Sequence, residues 1–209
     1  MLSETAQRCA IKYLIGIDEV GRGPLAGPFT VGAVAIPFGS KLYLGAVKDS
    51  KQLLPEDRDR LFRKINALRK DGKLRHSISH IAPHVLDKIG LTKSAHSAVA
   101  RSLKKLKVKP DECLVLLDGG LRAPNEFLNQ RTVIKGDEKI KIIALASIVA
   151  KVTRDRTLIR LSKKYPEYDF HVHKGYGTKR HYERLRLYGP CEIHRKLFLR
   201  KFFESCSTV

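Results

Sequence analysis

Two stretches constrain the fold of this chain more than any others. Tyr13-Leu14-Ile15-Gly16-Ile17 runs into Asp18, and Cys113-Leu114-Val115-Leu116-Leu117 runs into Asp118. Each run is apolar throughout and too short for a helix, so it reads as a strand buried on both faces. Each ends in a carboxylate with glycine close behind, at Gly21 and at Gly119. If the two strands lie side by side and parallel, both carboxylates emerge at one edge of the sheet. That edge, outside the carboxyl ends of the strands, is where open α/β sheets place their sites.

Other segments fill in the architecture. Thr30 to Ile36 is a second β-rich run, stopped by Pro37, and Leu42 to Val47 is compatible with a third, antiparallel neighbour. Pro55 to Arg69 has helical character, and in His84 to Leu106 a stripe of Ala95, Val99 and Leu103 recurs every four residues. Ile140 to Lys164 reads as one long helix, Thr178 to Leu187 as a short one, and His194 to Glu204 as a basic one. Strands that cluster first and then alternate with helices indicate an α/β domain with a mixed sheet. The length of 209 residues suits a single domain, 1–209, ending in a basic helical segment from about 178 to 209.

Charge narrows the function. Lys and Arg number 41 against 21 Asp and Glu, a net +20 that attracts polyanions, of which nucleic acid is the commonest. A membrane partner is disfavoured, because no basic amphipathic anchor stands apart from the domain. The longest apolar run, Ile140 to Val152, is short and interrupted by Lys141 and Lys151, so it cannot span a bilayer. Cys9, Cys113, Cys191 and Cys206 form no C-x-x-C pair, which argues against a zinc cage or a disulfide framework. With no secretory signal visible, a cytoplasmic protein is the simplest expectation.

Acidic residues are the minority in such a chain, so their placement carries information. Carboxylates gathered at one point repel each other, and a divalent cation is the usual remedy. Mg²⁺ takes oxygen ligands, which suits Asp and Glu better than the scattered histidines. A basic surface around an acidic hole is what a metal-dependent nuclease needs. One tension remains in this reading. Neighbouring side chains on a strand point to opposite faces, so Asp18 and Glu19 should not both face one ion. Either the strand bends at Asp18, as Gly21 permits, or Glu19 reaches the site from the far side.

The string Gly16-Ile17-Asp18-Glu19-Val20-Gly21-Arg22-Gly23-Pro24-Leu25-Ala26-Gly27-Pro28 resembles the signature of the ribonuclease HII family, the type 2 ribonucleases H. Further matches follow in the family's order: Asp49-Ser50-Lys51, Leu117-Asp118-Gly119, Lys135-Gly136-Asp137, Ala146 to Val152, His173 to Thr178, and Gly189-Pro190 with Ile193-His194-Arg195. They cover roughly residues 13 to 198. The resemblance implies a ribonuclease H-like fold, with a mixed five-stranded sheet flanked by helices and a C-terminal helical extension. It also implies endonucleolytic cleavage of RNA in RNA–DNA hybrids, and cutting 5′ to ribonucleotides embedded in duplex DNA, as in ribonucleotide excision repair. The family's metal-binding carboxylates fall on Asp18, Glu19, Asp118 and Asp137, its Gly-Arg-Gly loop on Gly21, Arg22 and Gly23, and its substrate-sensing tyrosine on Tyr176. Two Mg²⁺ or Mn²⁺ ions per site are expected. The sequence departs from the common pattern at Leu91-Thr92-Lys93, where many members carry Asn-Ile, and Phe198 to Val209 matches no motif.

Asp137 and Asp155 both sit beside basic residues near the long helix. Asp137 stands at its expected start, where a carboxylate caps free backbone N–H groups. Asp155 lies five turns on, roughly 27 Å along a continuous helix, so both cannot serve one site unless that helix breaks. Agreement with the family motif selects Asp137, and Asp155 is expected to pair with Lys151 at i−4.

Telling RNA from DNA requires sensing a 2′-hydroxyl. Gly21 and Gly23 lack a Cβ and let the backbone approach a sugar, while Arg22 can grip the adjacent phosphate. Tyr176 can lay its ring against the next sugar. Lys51, Lys163, Lys164, Lys174, Lys179, Arg180, Arg195, Lys196, Arg200 and Lys201 are candidate phosphate contacts. His171, His173, His181 and His194 either touch phosphate or pack. A monomer is the default, with a replication-clamp partner left open. The rival readings are a basic binding module without catalysis and another ribonuclease H-fold enzyme such as a resolvase or integrase. The first gives no reason for carboxylates at the ends of two buried strands, and the second lacks the Gly-Arg-Gly loop.

Overall fold

A computed structural model of the protein describes residues 11–40 and 53–206, apart from the side chains of residues 201 and 204–206. Five strands form one sheet: β1 (Tyr13–Val20), β2 (Phe29–Pro37), β3 (Arg75–Ile81), β4 (Cys113–Asp118) and β5 (Gln130–Val133), in the order β3-β2-β1-β4-β5. The two apolar runs are neighbours: β1 and β4 pair in parallel from Tyr13↔Cys113 to Ile17↔Leu117. β1 also pairs antiparallel with β2 and β2 with β3, while β4 and β5 are parallel. This is the mixed five-stranded sheet of a ribonuclease H-like fold. The expected strand at Leu42 to Val47 and the candidate Lys51 lie outside the described residues.

Alternation along β1 builds two cores. Ile15 and Ile17 pack with Phe29, Val31, Val115 and Leu117 on one face, under Ala95, Val99 and Leu103 of α2 (Pro83–Leu106). Leu14, Val34, Ile36 and Leu116 face the other way. There they meet α1 (Pro55–Lys70) and the long α4 (Lys141–Lys164). α4 is sheathed on both sides, which is why its stretch from Ile142 to Ala150 is buried all round.

Three expectations change. β3 reads Arg-His-Ser-Ile-Ser-His-Ile, and its buried positions 77 and 79 are serines, so no apolar run announced it. Ser77 satisfies its hydroxyl by donating to the Ser102 carbonyl on α2 at 2.7 Å, which lets a small polar residue lie under a helix. β5 is a four-residue edge strand, too short to carry a periodic signal. One expected continuous helix also breaks. α2 is interrupted at Gly90 (φ 78, ψ 167), a backbone that favours glycine. Asp137 sits not at the start of the long helix but in a separate short one, α3 (Gly136–Lys139), divided from α4 by the extended Ile140.

The C-terminal part adds α5 (Phe170–His173), α6 (Lys179–Tyr188) and α7 (Lys196–Cys206). Thr178 caps α6 by accepting from the His181 N–H at 3.3 Å. These helices enclose a third cluster with Leu25, Leu158, Tyr168, Phe170, Leu185 and Leu199. Among the described residues no helix is long and apolar enough to cross a membrane.

α4 lies directly on the sheet because two glycines leave room for its backbone. A Cβ at Gly16 would stand 2.2 Å from the Ile142 carbonyl oxygen, and one at Gly32 would stand 2.5 Å from that of Ala146. Gly16→Ala is therefore expected to cost roughly 3 kcal/mol or more, read from the midpoint of urea unfolding. Gly120→Ala, whose Cβ meets nothing within 4 Å, should stay within about 0.5 kcal/mol of the parent.

Candidate active site

β1 and β4 stop pairing at Ile17↔Leu117, one residue before Asp18 and Asp118. Side-chain alternation sets both carboxylates on the α4 side of the sheet, at the point where the strands part. Pairing of β1 with β2 continues without a break through Asp18↔Gly32, Glu19↔Val31 and Val20↔Thr30. The strand therefore does not bend at Asp18. Glu19 comes from the opposite face and reaches the opening past the strand edge that β4 has left free.

A cleft of about 420 Å³ lies at this opening. Asp18, Glu19 and Asp118 line it, faced by Arg58 and Lys151, with Ser147 of α4 and Tyr176 completing the walls. Asp18 is only 4% exposed, and its Oδ1 accepts the Glu19 N–H at 2.7 Å. Burial pushes its carboxyl up to about 8, helped by the neighbouring charges of Glu19 and Asp118 and opposed by a hydrogen bond from Ser147. Burial also raises Glu19, against the pull of Arg22. Arg22 Nε donates to Glu19 Oε1 at 3.1 Å, while Glu19 Oε2 is buried without a hydrogen bond among the described residues.

Asp118 Oδ1 accepts the Gly136 N–H at 2.6 Å, which ties the start of α3 to the cleft. Asp137, the next residue, is 2% exposed but does not line the cleft. Among the described residues no three His, Cys, Asp or Glu side chains converge as a ready metal cage. The donor set nevertheless fits a divalent cation. Burial disfavours the charge of Asp18, one oxygen of Glu19 has no hydrogen bond among the described residues, and a hard cation takes oxygen ligands.

Two buried arginines hold the Gly-Arg-Gly loop beside the cleft. Arg154 is fully buried on α4 and donates to the carbonyls of Pro28 (2.9 Å), Ala26 (3.1 Å) and Lys174 (3.0 Å). Arg195, also fully buried, donates to the carbonyls of Gly27 (3.0 Å) and Arg22 (3.3 Å). Gly21 has φ 90, and a Cβ there would meet Arg154 Nε at 2.5 Å. A Cβ on Gly23 would meet nothing within 4 Å, so packing inside the protein does not account for this glycine. The Tyr176 loop joins the same assembly, since the Leu25 N–H donates to the Gly175 carbonyl at 2.8 Å. Tyr176 is 40% exposed, with Lys151 Nζ 5.8 Å and Arg154 Cζ 5.6 Å from its ring centre.

The structure thus gathers Asp18, Glu19, Asp118 and Tyr176 around one cleft, with Gly21, Arg22 and Gly23 alongside. Asp155 pairs with Lys151 at 3.0 Å, as its i+4 spacing indicated. Arg195 is corrected: it is a buried support and not a phosphate contact. Lys164 and Arg180 are engaged by Glu192 and Asp169, whereas Lys163, Lys179, Lys196 and Arg200 are exposed. Sequence reasoning assigned no role to Ser147, Arg58 or Arg154. Ser147 and Arg154 had a readable signal, being polar residues in the otherwise apolar first half of α4 or just after it. Arg58 had none, because its place depends on how α1 packs.

The ribonuclease HII family model matches residues 15–206. A ribonuclease HII of Caldicellulosiruptor bescii is 45% identical over 189 residues, 90% of this chain and 87% of that protein. The crystal structure of the ribonuclease H2 of Pyrococcus horikoshii superposes with a TM-score of 0.73 at 29% identity, over 94% of this chain and 100% of that one. A ribonuclease HII of Archaeoglobus fulgidus, solved in complex with PCNA, superposes with a TM-score of 0.69 at 27% identity, over 88% of this chain and 93% of that one.

The raised Asp18 carboxyl has a consequence for stability. A carboxyl with a higher pKa folded than unfolded binds more protons in the folded state, so stability falls as pH rises from about 4 to about 8. Asp18→Asn should flatten this fall in the metal-free protein. At pH 8 it should raise the melting temperature by about 2–4 °C for each kcal/mol of repulsion removed. A lower melting temperature for Asp18→Asn at pH 8 would show that this carboxylate is not the costly group.

Proposed function

The chain belongs to the ribonuclease HII family, a family of hydrolytic nucleases, and we propose that it cuts the RNA strand of RNA–DNA hybrids and cuts 5′ to ribonucleotides embedded in duplex DNA. The observation that carries this reading is the shared cleft. Asp18, Glu19 and Asp118 line it with Tyr176, while the Gly21-Arg22-Gly23 loop is tied to the Tyr176 loop through Arg154 and Gly175. A metal nuclease needs the carboxylates, and discrimination of RNA from DNA needs the two loops.

In this reading Asp18, Glu19, Asp118 and Asp137 would hold the divalent metal. When bound, Mg²⁺ or Mn²⁺ supplies an activated water and stabilises the departing 3′ oxygen, leaving 5′-phosphate and 3′-hydroxyl ends. Ser147 orients the Asp18 carboxylate through its hydrogen bond. The hydrogen bond from Gly136 to Asp118 keeps Asp137 within the next residue of a ligand, which supports its inclusion. The open space above Gly23 admits a sugar to the backbone, where a 2′-hydroxyl can both donate and accept. Arg22, half exposed, keeps donors available for a phosphate beyond those given to Glu19. The Tyr176 ring at the rim is a face for the neighbouring sugar, and exposed Lys163, Lys179, Lys196 and Arg200 position the duplex through its phosphates.

A DNA duplex carrying one ribonucleotide tests the reading. Cutting at the 5′ side of the ribonucleotide should require Mg²⁺ or Mn²⁺ and leave an all-DNA duplex intact. Asp18→Asn should lower the rate by well over the roughly 100-fold that losing a group behind a metal ligand costs. Binding without cutting would favour a non-catalytic module, and cutting of all-DNA junctions would favour a resolvase-like enzyme. The net charge of +20 gives a second measurement. Raising salt from 50 to 200 mM should weaken duplex binding roughly tenfold for as few as two phosphate contacts, and far more for six.

A further inference from the structure

Three histidines of the C-terminal region are buried beneath the Tyr176 loop: His173 (7% exposed), His181 (0%) and His194 (4%). Their rings touch, with centroids 4.2 Å apart for His173 and His181 and 5.2 Å for His181 and His194. They come from α5, α6 and the turn before α7, so only the tertiary fold assembles them.

Their hydrogen bonds leave one consistent arrangement of protons. His194 Nδ1 lies 2.9 Å from the Cys191 N–H and must accept it, so the proton of His194 is on Nε2. His181 Nδ1 lies 2.9 Å from the Tyr176 carbonyl oxygen, which can only accept, so His181 carries its proton on Nδ1. His194 Nε2 and His181 Nε2 are 3.0 Å apart, and these assignments make the first a donor and the second an acceptor. His173 accepts the Gly175 N–H on Nδ1 at 3.2 Å and donates from Nε2 to the Tyr168 carbonyl at 2.6 Å. Every ring nitrogen has a partner and every partner has the right polarity. A further proton on His181 would set two N–H groups against each other.

We propose that His173, His181 and His194 form a chain of neutral imidazoles with fixed tautomers that sets the backbone of Tyr176, making His181 and His173 positioning residues for the tyrosine that faces the substrate sugar. Between them they bond the N–H of Gly175 and the carbonyl of Tyr176, the groups on either side of the Tyr176 nitrogen. Gly175 is in turn pressed on the Gly-Arg-Gly loop, since a Cβ there would lie 2.3 Å from the Ala26 carbonyl oxygen. The ring of Tyr176 itself is free of this network and available to substrate. The surroundings keep the chain neutral. Burial pulls His181 down to about 3 and His194 to about 4, and lowers His173 as well. Facing groups do little to offset that: Asp169 favours charge on His173, but Arg180 and Lys174 oppose it, and Asp169 is already held by Arg180 and Arg184. His194 faces Cys191 Sγ at 3.2 Å and the Tyr168 ring, and Phe170 packs against all three imidazoles.

The inference rests on the reading of Tyr176 as the sugar-facing residue, and its test separates the two. Cleavage of the duplex with one ribonucleotide is measured for His181→Ala, Tyr176→Ala and the double variant, at a temperature where each is folded. His181→Ala should lower kcat/KM roughly 10- to 100-fold, the scale of a displaced positioning group. The double variant should be no slower than Tyr176→Ala, because a missing ring cannot be misplaced. Losses that multiply, or an unaffected His181→Ala beside a slow Tyr176→Ala, overturn the positioning role alone. An unaffected Tyr176→Ala overturns the sugar-facing reading and the positioning role with it. The unmutated protein gives a second measurement that needs no folded variant. Nitrogen-15 spectra of its histidines should show three rings neutral at pH 5.5, with the proton on Nδ1 in His181 and on Nε2 in His173 and His194. Any of the three titrating near the ordinary 6.5, or found in the other tautomer, overturns the proposal.

Discussion

Helix α4 rests its backbone, and not only its side chains, on β1 and β2, and the rest of the molecule is arranged around that contact. The carbonyl oxygens of Ile142 and Ala146 occupy the space that side chains at Gly16 and Gly32 would fill. With the helix this close, successive turns reach successive parts of the site. Ser147 meets Asp18, Lys151 borders the cleft, Arg154 gathers the loop carbonyls, and Leu158 enters the C-terminal cluster. A helix held farther off by side chains would leave Asp18 without its hydroxyl partner and the loops without their anchor.

The site sets a concentrated negative charge inside a protein of strongly positive net charge. Long-range attraction to phosphate and short-range repulsion among carboxylates are therefore built into one surface. Asp18 bears most of the cost, since it is the most deeply buried of the three cleft carboxylates and has two like charges beside it. Such an arrangement is poorly stable in the absence of a cation and well disposed to bind one, so the same burial that costs stability favours metal binding.

Arg154 and Arg195 solve a different problem. A loop rich in glycine and proline has carbonyls that no sheet or helix satisfies, and such groups are costly when buried. The two guanidiniums supply fixed, planar sets of donors for four of those oxygens, at Pro28, Ala26, Gly27 and Arg22, and for the Lys174 carbonyl of the Tyr176 loop. Burying a guanidinium is unfavourable unless its donors are used, and in Arg154 each of the three nitrogens finds a carbonyl. The result is two loops from distant parts of the chain held as a single rigid piece beside the carboxylates.

The sequence by itself determined the paired apolar strands, their terminal carboxylates, the long fourth helix and the family motifs, because each is a local pattern of hydrophobicity or spacing. The Asp155–Lys151 pair was legible for the same reason, as an i, i+4 contact on one helix. β3 was not, since no apolar run marks it and its buried Ser77 finds its partner only on α2, and β5 was too short to show a period. The candidate phosphate contact Arg195 also went astray, because a basic residue in a basic tail looks the same whether it meets solvent or a buried carbonyl. Only the tertiary structure decided that β1 runs straight through Asp18 while β4 parts from it, so that Glu19 reaches the cleft around a free strand edge. It alone decided that Asp137 belongs to a separate turn and that three histidines far from the carboxylates in the chain lie under Tyr176. Those outcomes depend on where strand pairing stops and on which distant groups satisfy each other's hydrogen bonds, and neither is written in any local stretch of residues.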